Sequence, residues 1–197
     1  AGRRDWRNRL KAQLLPGRPR IWVHAASLGE FEQGRPLMER FKAIYPDHEI
    51  LLTFFSPSGY EVQRNYHGAD HIYYLPADTP TNARDFLDLV DPVAVCFIKY
   101  EFWFHYLHRL HQRHIPVFLV SAAFMPDHIF FRWYGINVDT FLDIPEFHEG
   151  WNYIQTIGVS VAYFDDNFLT SMRNAMANAA SLGAEAISRV IGVGEPW

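Results

Sequence analysis

The sequence has few of the features that define several large classes of protein. Cys96 is the only cysteine among 197 residues, so no internal disulfide can form and a reducing compartment is favoured. No run of about twenty apolar residues occurs, so we predict no bilayer-spanning segment. Lysine and arginine total 18 against 22 aspartate and glutamate, and the net charge of -4 argues against a nucleic-acid partner.

The composition is that of a globular protein with one unusual end. With 49% hydrophobic and 20% charged residues, the chain can bury a full core. Residues 1–20 are rich in basic side chains interleaved with Trp6 and Leu10, namely Arg3, Arg4, Arg7, Arg9, Lys11, Arg18 and Arg20. This segment either lies near anionic lipid headgroups or forms a solvated helix. Since the chain opens at Ala1 rather than methionine, we expect it to be an excised piece whose anchor, if any, lay upstream.

Beyond the basic segment, short apolar runs alternate with longer helical patterns. The predicted strands are Ile21–His24, Ile50–Phe54, His71–Tyr74, Ala94–Ile98 and Val117–Val120. The predicted helices lie between them, at Phe31–Ile44, Ser58–Tyr66, Pro80–Leu89 and Phe102–His114. Repeated βαβ units with right-handed crossovers predict an α/β fold, a doubly wound parallel sheet of order 3-2-1-4-5.

This topology predicts where chemistry should occur. Ligands of such sheets bind beyond the carboxyl ends of the strands where the strand order reverses, here between strands one and four. The two loops that meet there carry small or hydroxyl residues and three charged groups, namely Ser27, Gly29, Glu30, Lys99 and Glu101. Two carboxylates and an ammonium group in one crevice can transfer protons and bind an anionic substrate. The alternatives are a Glu30 that only complements the dipole of its helix and a Lys–Glu surface pair.

The loops after strands two and three offer weaker signals. Ser56 and Gly59 lie at a helix start whose backbone N–H groups suit phosphate or sugar hydroxyls, although ordinary helices are capped in the same way. Asp78 or Thr79 similarly fits a plain helix cap ahead of Pro80.

Histidines and aromatics complete the set of candidates. Steps of three spread His105, His108, His111 and His114 around half a helix, which favours a solvated face over a metal site. His24, at the end of a buried strand, is predicted to be a hydrogen-bonded core histidine rather than a base. The aromatic run at 129–135 is predicted to be a core plug, with a lipid-facing or domain-facing surface as the alternative.

Several blocks of this chain resemble a known family in both motif and order. They are HAASLGEFEQGRP at 24–36, LLTFFSPSGYE at 51–61, YYLPADTPTNARDFLDLVDP at 74–92, IKYEFW at 98–103 and the SAAF…FFRWYG run at 121–135. Together, from about residue 2 to residue 135, they resemble the amino-terminal half of 3-deoxy-D-manno-octulosonic acid (Kdo) transferase. The resemblance implies a Rossmann-like acceptor-binding domain at 21–135, the amino-terminal half of a GT-B glycosyltransferase.

The resemblance also implies an activity and roles for residues. Such enzymes transfer Kdo from CMP-Kdo to a lipid A precursor with inversion, with no cofactor and no metal ion at the catalytic centre. By motif position, Glu30 resembles the general base and Glu101 the second carboxylate. Lys99, Ser27, Gly29, Ser56 and Gly59 would serve the acceptor.

The same resemblance implies partners and a location. The basic segment at 1–20 would be membrane-proximal, near an anionic surface at the cytoplasmic face of the bacterial inner membrane, held peripherally or by an upstream anchor. Residues 136–197 are interpreted as a divergent, helical tail, and the second domain that would hold CMP-Kdo as absent. The alternative function is a non-catalytic Rossmann-like binding or scaffold module.

Overall fold

Among the residues it describes, the computed structural model contains five parallel strands covered by helices on both faces. It describes residue 3, residues 5–99, residue 101, residues 103–120 and residue 173. The predicted aromatic plug and helical tail therefore lie outside the described residues, apart from residue 173. In chain order the elements are α1 Trp6–Gln13, β1 Arg20–Ala25, α2 Leu28–Ile44, β2 Glu49–Phe54, α3 Pro57–Gln63, β3 His71–Tyr74, α4 Pro80–Val90, β4 Pro92–Ile98, α5 Phe104–Gln112 and β5 Val117–Val120.

The strand order is β3-β2-β1-β4-β5, with every neighbouring pair parallel. This confirms the predicted topology and places the switch point between β1 and β4. Alternate residues of each strand enter two separate cores. Val23 packs with α2 on one face, whereas Trp22 packs with Phe86 of α4 and Tyr106 of α5 on the other.

Several predicted boundaries were wrong by a few residues, for local physical reasons. Helix α2 begins at Leu28 rather than Phe31, because the Ser27 side chain caps it one turn earlier. Strand β1 extends back to Arg20, because this arginine forms a buried ion pair of 2.8 Å with Glu49 at the matching position of β2. Helix α3 ends at Gln63 instead of Tyr66, and α5 begins at Phe104 instead of Phe102.

The basic segment contains helix α1, whose apolar side packs against the rest of the domain. Trp6, Leu10 and Leu14 are buried in the core beside α4, and the Trp6 ring lies 6.1 Å from that of Phe86. Arg7 fixes the same contact through a 2.7 Å ion pair with Asp85. The apolar side of α1 therefore packs in the core and is not free to face lipid. Within the described ranges, no helix is both long and apolar enough to cross a membrane.

Candidate active site

The first loop of the site places Glu30 by means of a capping box. Ser27 caps α2 and its hydroxyl accepts the N–H of Glu30, while Glu30 Oε2 accepts the N–H groups of Ala26 at 2.5 Å and Ser27 at 3.2 Å. The conservative alternative, a carboxylate that complements its helix, is thus correct for one oxygen. The other oxygen, Oε1, has no hydrogen-bond donor in the described part of the chain.

Glu30 is also electrostatically perturbed. Burial and the nearby negative charge of Glu101 both raise its pKa, and the N–H donors of Ala26 and Ser27 only partly oppose them. Glu30 accepts the N–H of Ala26, and Glu101 contacts His24. Both carboxylates therefore lie at the end of β1, where the strand order predicts the two loops to meet.

Glu101 is held by a network of buried and partly buried side chains. Its Oε2 lies 3.2 Å from Nε2 of His24 and accepts the indole N–H of Trp103 at 2.6 Å. On its other side, His24 Nδ1 lies 2.8 Å from the hydroxyl of Thr53. His24 is completely buried and hydrogen-bonded, as predicted, but its contact with Glu101 was not foreseen.

Lys99 follows β4 with an unusual backbone. Its φ of 67° lies in the left-handed region, and its N–H donates to the Val120 carbonyl at 2.8 Å, which fixes the start of this loop. Within the described ranges, no ion pair joins Lys99 to a carboxylate. A role of its ammonium group in binding an anionic ligand stays a prediction.

The remaining predicted residues divide into two groups. Ser56 caps α3 and donates its backbone N–H to the Ala26 carbonyl at 2.7 Å, which ties the loop after β2 to the Glu30 loop. Gly29 is exposed, and a Cβ there would meet nothing within 4 Å, so the approach to Glu30 is open on this side. Gly59 is buried instead, and a Cβ added there would lie 2.3 Å from the Phe54 ring. Its contacts are those of a packing residue.

Aromatic and basic side chains shape the rim of the site. The ring of Phe55, just after β2, lies 4.8 Å from that of Trp103, so the loops after β2 and β4 meet beside the end of β1. The Arg3 guanidinium lies 4.2 Å above the Phe55 ring and donates to its carbonyl. A basic residue from the chain's first turns therefore reaches the strand edge that carries the carboxylates.

The helix that follows Glu101 is anchored from another loop. Asp78 accepts the N–H groups of His105 and Tyr106 at 3.2 and 3.3 Å, while Thr79 caps its own helix α4. Asp78 is thus a cap, as predicted, but of α5 rather than α4. Among the described residues, the α5 histidines join no group of three or more metal-ligating side chains.

The fold and this geometry define a class of protein: a Rossmann-like α/β domain with an acidic site at its switch point. Comparison with known proteins then gives the family. Residues 4–135 match the model described as 3-deoxy-D-manno-octulosonic-acid transferase, and the chain belongs to this family.

Individual relatives agree with the family match. The chain is 34% identical over 103 residues to the 3-deoxy-D-manno-octulosonic acid transferase of Haemophilus influenzae, covering 52% of this chain and 24% of the relative. With the enzyme of the same name from Aquifex aeolicus it shares 37% over 84 residues, 42% of this chain and 23% of the relative. The chain is also 31% identical over 114 residues to the probable 3-deoxy-D-manno-octulosonic acid transferase, mitochondrial, of Arabidopsis thaliana. This match covers 57% of this chain and 25% of the relative. The chain spans about a quarter of the length of these relatives.

Proposed function

We propose that this chain is the acceptor-binding domain of a GT-B glycosyltransferase that transfers Kdo from CMP-Kdo to a lipid A precursor with inversion. The observation that carries the proposal is that Glu30 and Glu101 both contact residues at the end of β1, the switch point of a family member's fold. Family membership supports the class of reaction, and these side chains support the chemistry proposed for it.

Glu30 is proposed as the general base. The capping box occupies Oε2 of Glu30, so Oε1 takes the proton of the acceptor hydroxyl. At the same time, the oxygen of this hydroxyl bonds to the anomeric carbon of Kdo. The bond to CMP breaks with its electron pair leaving on the phosphate. A pKa raised by burial and by Glu101 makes Glu30 a stronger base than an exposed glutamate. No metal ion or cofactor enters this scheme.

The rest of the site is proposed to hold the acceptor. Lys99 and Arg3 supply positive charge for anionic groups, and Ser27 and Ser56 supply polar groups beside them.

We further propose that the protein works at the cytoplasmic face of the bacterial inner membrane. With the apolar side of α1 buried, any contact with anionic lipid would come from exposed basic residues such as Lys11 and Arg18.

The binding half of the proposal is tested by titrating the chain with a bisphosphorylated glucosamine disaccharide. Lys99→Ala should weaken binding severalfold. Lys42→Ala removes the same charge at the opposite end of α2, where Lys42 pairs with Asp70, and should leave binding unchanged. Failure of the chain to bind, or equal losses in both variants, would favour the alternative of a non-catalytic module.

The chemical half needs a donor-binding partner. Residues 4–135 can replace the matching segment of the Haemophilus influenzae relative, and transfer from CMP-Kdo can then be measured. Glu30→Gln should lower the turnover of an active chimera by about 10²–10⁴-fold, the usual contribution of a positioned base. Normal turnover in this variant would refute the assigned role.

A further inference from the structure

The proposed removal of a proton from the acceptor hydroxyl by Glu30 gives no role to His24, the histidine that contacts Glu101. His24 is fully buried, with the rings of Phe97 and Trp103 packed edge-on against it at 5.9 and 5.7 Å. Its two nitrogens contact Thr53 and Glu101. A side chain enclosed in this way touches no substrate, so any role in the reaction is exerted through Glu101.

The donors and acceptors of this network can be assigned from chemistry. The indole N–H of Trp22 can only donate, and it donates to the Thr53 hydroxyl oxygen at 2.8 Å. The hydroxyl still has its own proton to donate, and within the described residues the acceptor in reach is His24 Nδ1 at 2.8 Å. Nδ1 is then unprotonated, and the ring carries its proton on Nε2, which faces Glu101.

The arrangement is fixed by the sheet itself. Thr53 lies opposite His24 in the register of β1 and β2, and both are buried side by side on the face that α5 covers. The order of donation therefore runs from Trp22 to Thr53, then to His24 and finally to Oε2 of Glu101.

The same oxygen of Glu101 receives a second donor. Trp103 Nε1 donates to Oε2 at 2.6 Å, so two N–H groups hold one carboxylate oxygen. Oε1 has no donor among the described residues. Glu30 is built alike, with Oε2 held by two backbone N–H groups and Oε1 left open.

We propose that His24 is a positioning residue: in its neutral form with the proton on Nε2, fixed by Thr53, it holds Oε2 of Glu101 and so orients this carboxylate in the site. The purpose of the oriented carboxylate rests on the proposed function, whereas the tautomer and the hydrogen bond do not. His24 adds a third side chain to the acidic pair, one residue before the end of β1.

The test is the protonation pattern of His24 in the full 197-residue chain at pH 7.5. Long-range ¹H–¹⁵N correlation of histidine-labelled protein distinguishes the two neutral tautomers and the imidazolium ion, and His24→Gln assigns the signals. We expect an unprotonated Nδ1 and a protonated Nε2. A proton on Nδ1, or on both nitrogens, would overturn the proposal.

Variants test the connection to Glu101. Glu101→Gln should shift the His24 Nε2–H resonance upfield, because a hydrogen bond to a charged acceptor is lost, whereas Glu61→Gln in α3 should leave it unchanged. Equal shifts in both variants would overturn the proposal. The carboxyl ¹³C resonance of Glu101 should stay near its native position in His24→Gln, which retains an N–H donor, and should move in His24→Met. No acceptor is present in these experiments, so their outcome is independent of the binding test above.

Discussion

Replacing Thr53 by valine should destabilise the protein far more than the loss of one hydroxyl suggests. The variant keeps the shape of the side chain but leaves Trp22 Nε1–H without an acceptor and His24 Nδ1 without a donor. All three residues are fully buried. Each unpartnered buried polar group costs about 1–3 kcal/mol, and the added methyl recovers about 0.8 kcal/mol. We therefore expect the free energy of unfolding to fall by about 1–5 kcal/mol.

Urea denaturation followed by tryptophan fluorescence measures this loss. With a slope of about 2 kcal/mol/M, the midpoint of Thr53→Val should fall by about 0.5–2.5 M. Thr53→Ser is the matched control, because it keeps the hydroxyl and removes one methyl group, at a cost of about 1 kcal/mol. A Thr53→Val protein as stable as Thr53→Ser would refute the hydrogen-bonded order that we assign.

Three further predictions concern the packing and charge of the same domain. Glu49→Gln leaves Arg20 as a buried, unpaired charge and should lower the free energy of unfolding by about 3–5 kcal/mol in urea titrations. Gly59→Ala should cost about 1–3 kcal/mol through overpacking, whereas Gly29→Ala, which meets open space, should change stability by less than about 1 kcal/mol. Burial and Glu101 raise the pKa of Glu30 in the folded protein. Ionised Glu30 therefore lowers the free energy of unfolding above this raised pKa, and the loss disappears once the pH is below the ordinary pKa of glutamate. The wild type should therefore gain stability relative to Glu30→Gln as the pH falls through this window.

The strands and their order were predictable because the patterns behind them are strong and local. Buried parallel strands appear as short apolar runs, and β3 and β5 were bounded correctly. The point where the strand order reverses then places Glu30 and Glu101 together without any knowledge of side-chain contacts. Helix starts were less accurate, since the Ser27 cap can be assigned to its helix only once the capping box is seen.

The interior of the site depends on register, which apolar runs do not specify. Thr53 is the polar residue in the run LLTFF, and its position opposite His24 appears only when β1 and β2 are paired. The available signal was that His24 and Thr53 are each one residue from the carboxyl end of their strand, β1 and β2 respectively. The contact of Arg3 with Phe55 and the cap of α5 by Asp78 connect distant parts of the chain and left no local signal.

The proposed chemistry requires the carboxylates of Glu30 and Glu101 to be neighbours at the end of β1. The direct test is an NMR pH titration of the Glu30 side-chain carboxyl group in the wild type and in Glu101→Gln, with Glu61→Gln as the control. We predict a pKa above the ordinary glutamate value that falls when Glu101 loses its charge and does not change in the control. A Glu30 pKa that is the same with and without the Glu101 charge would contradict the central claim.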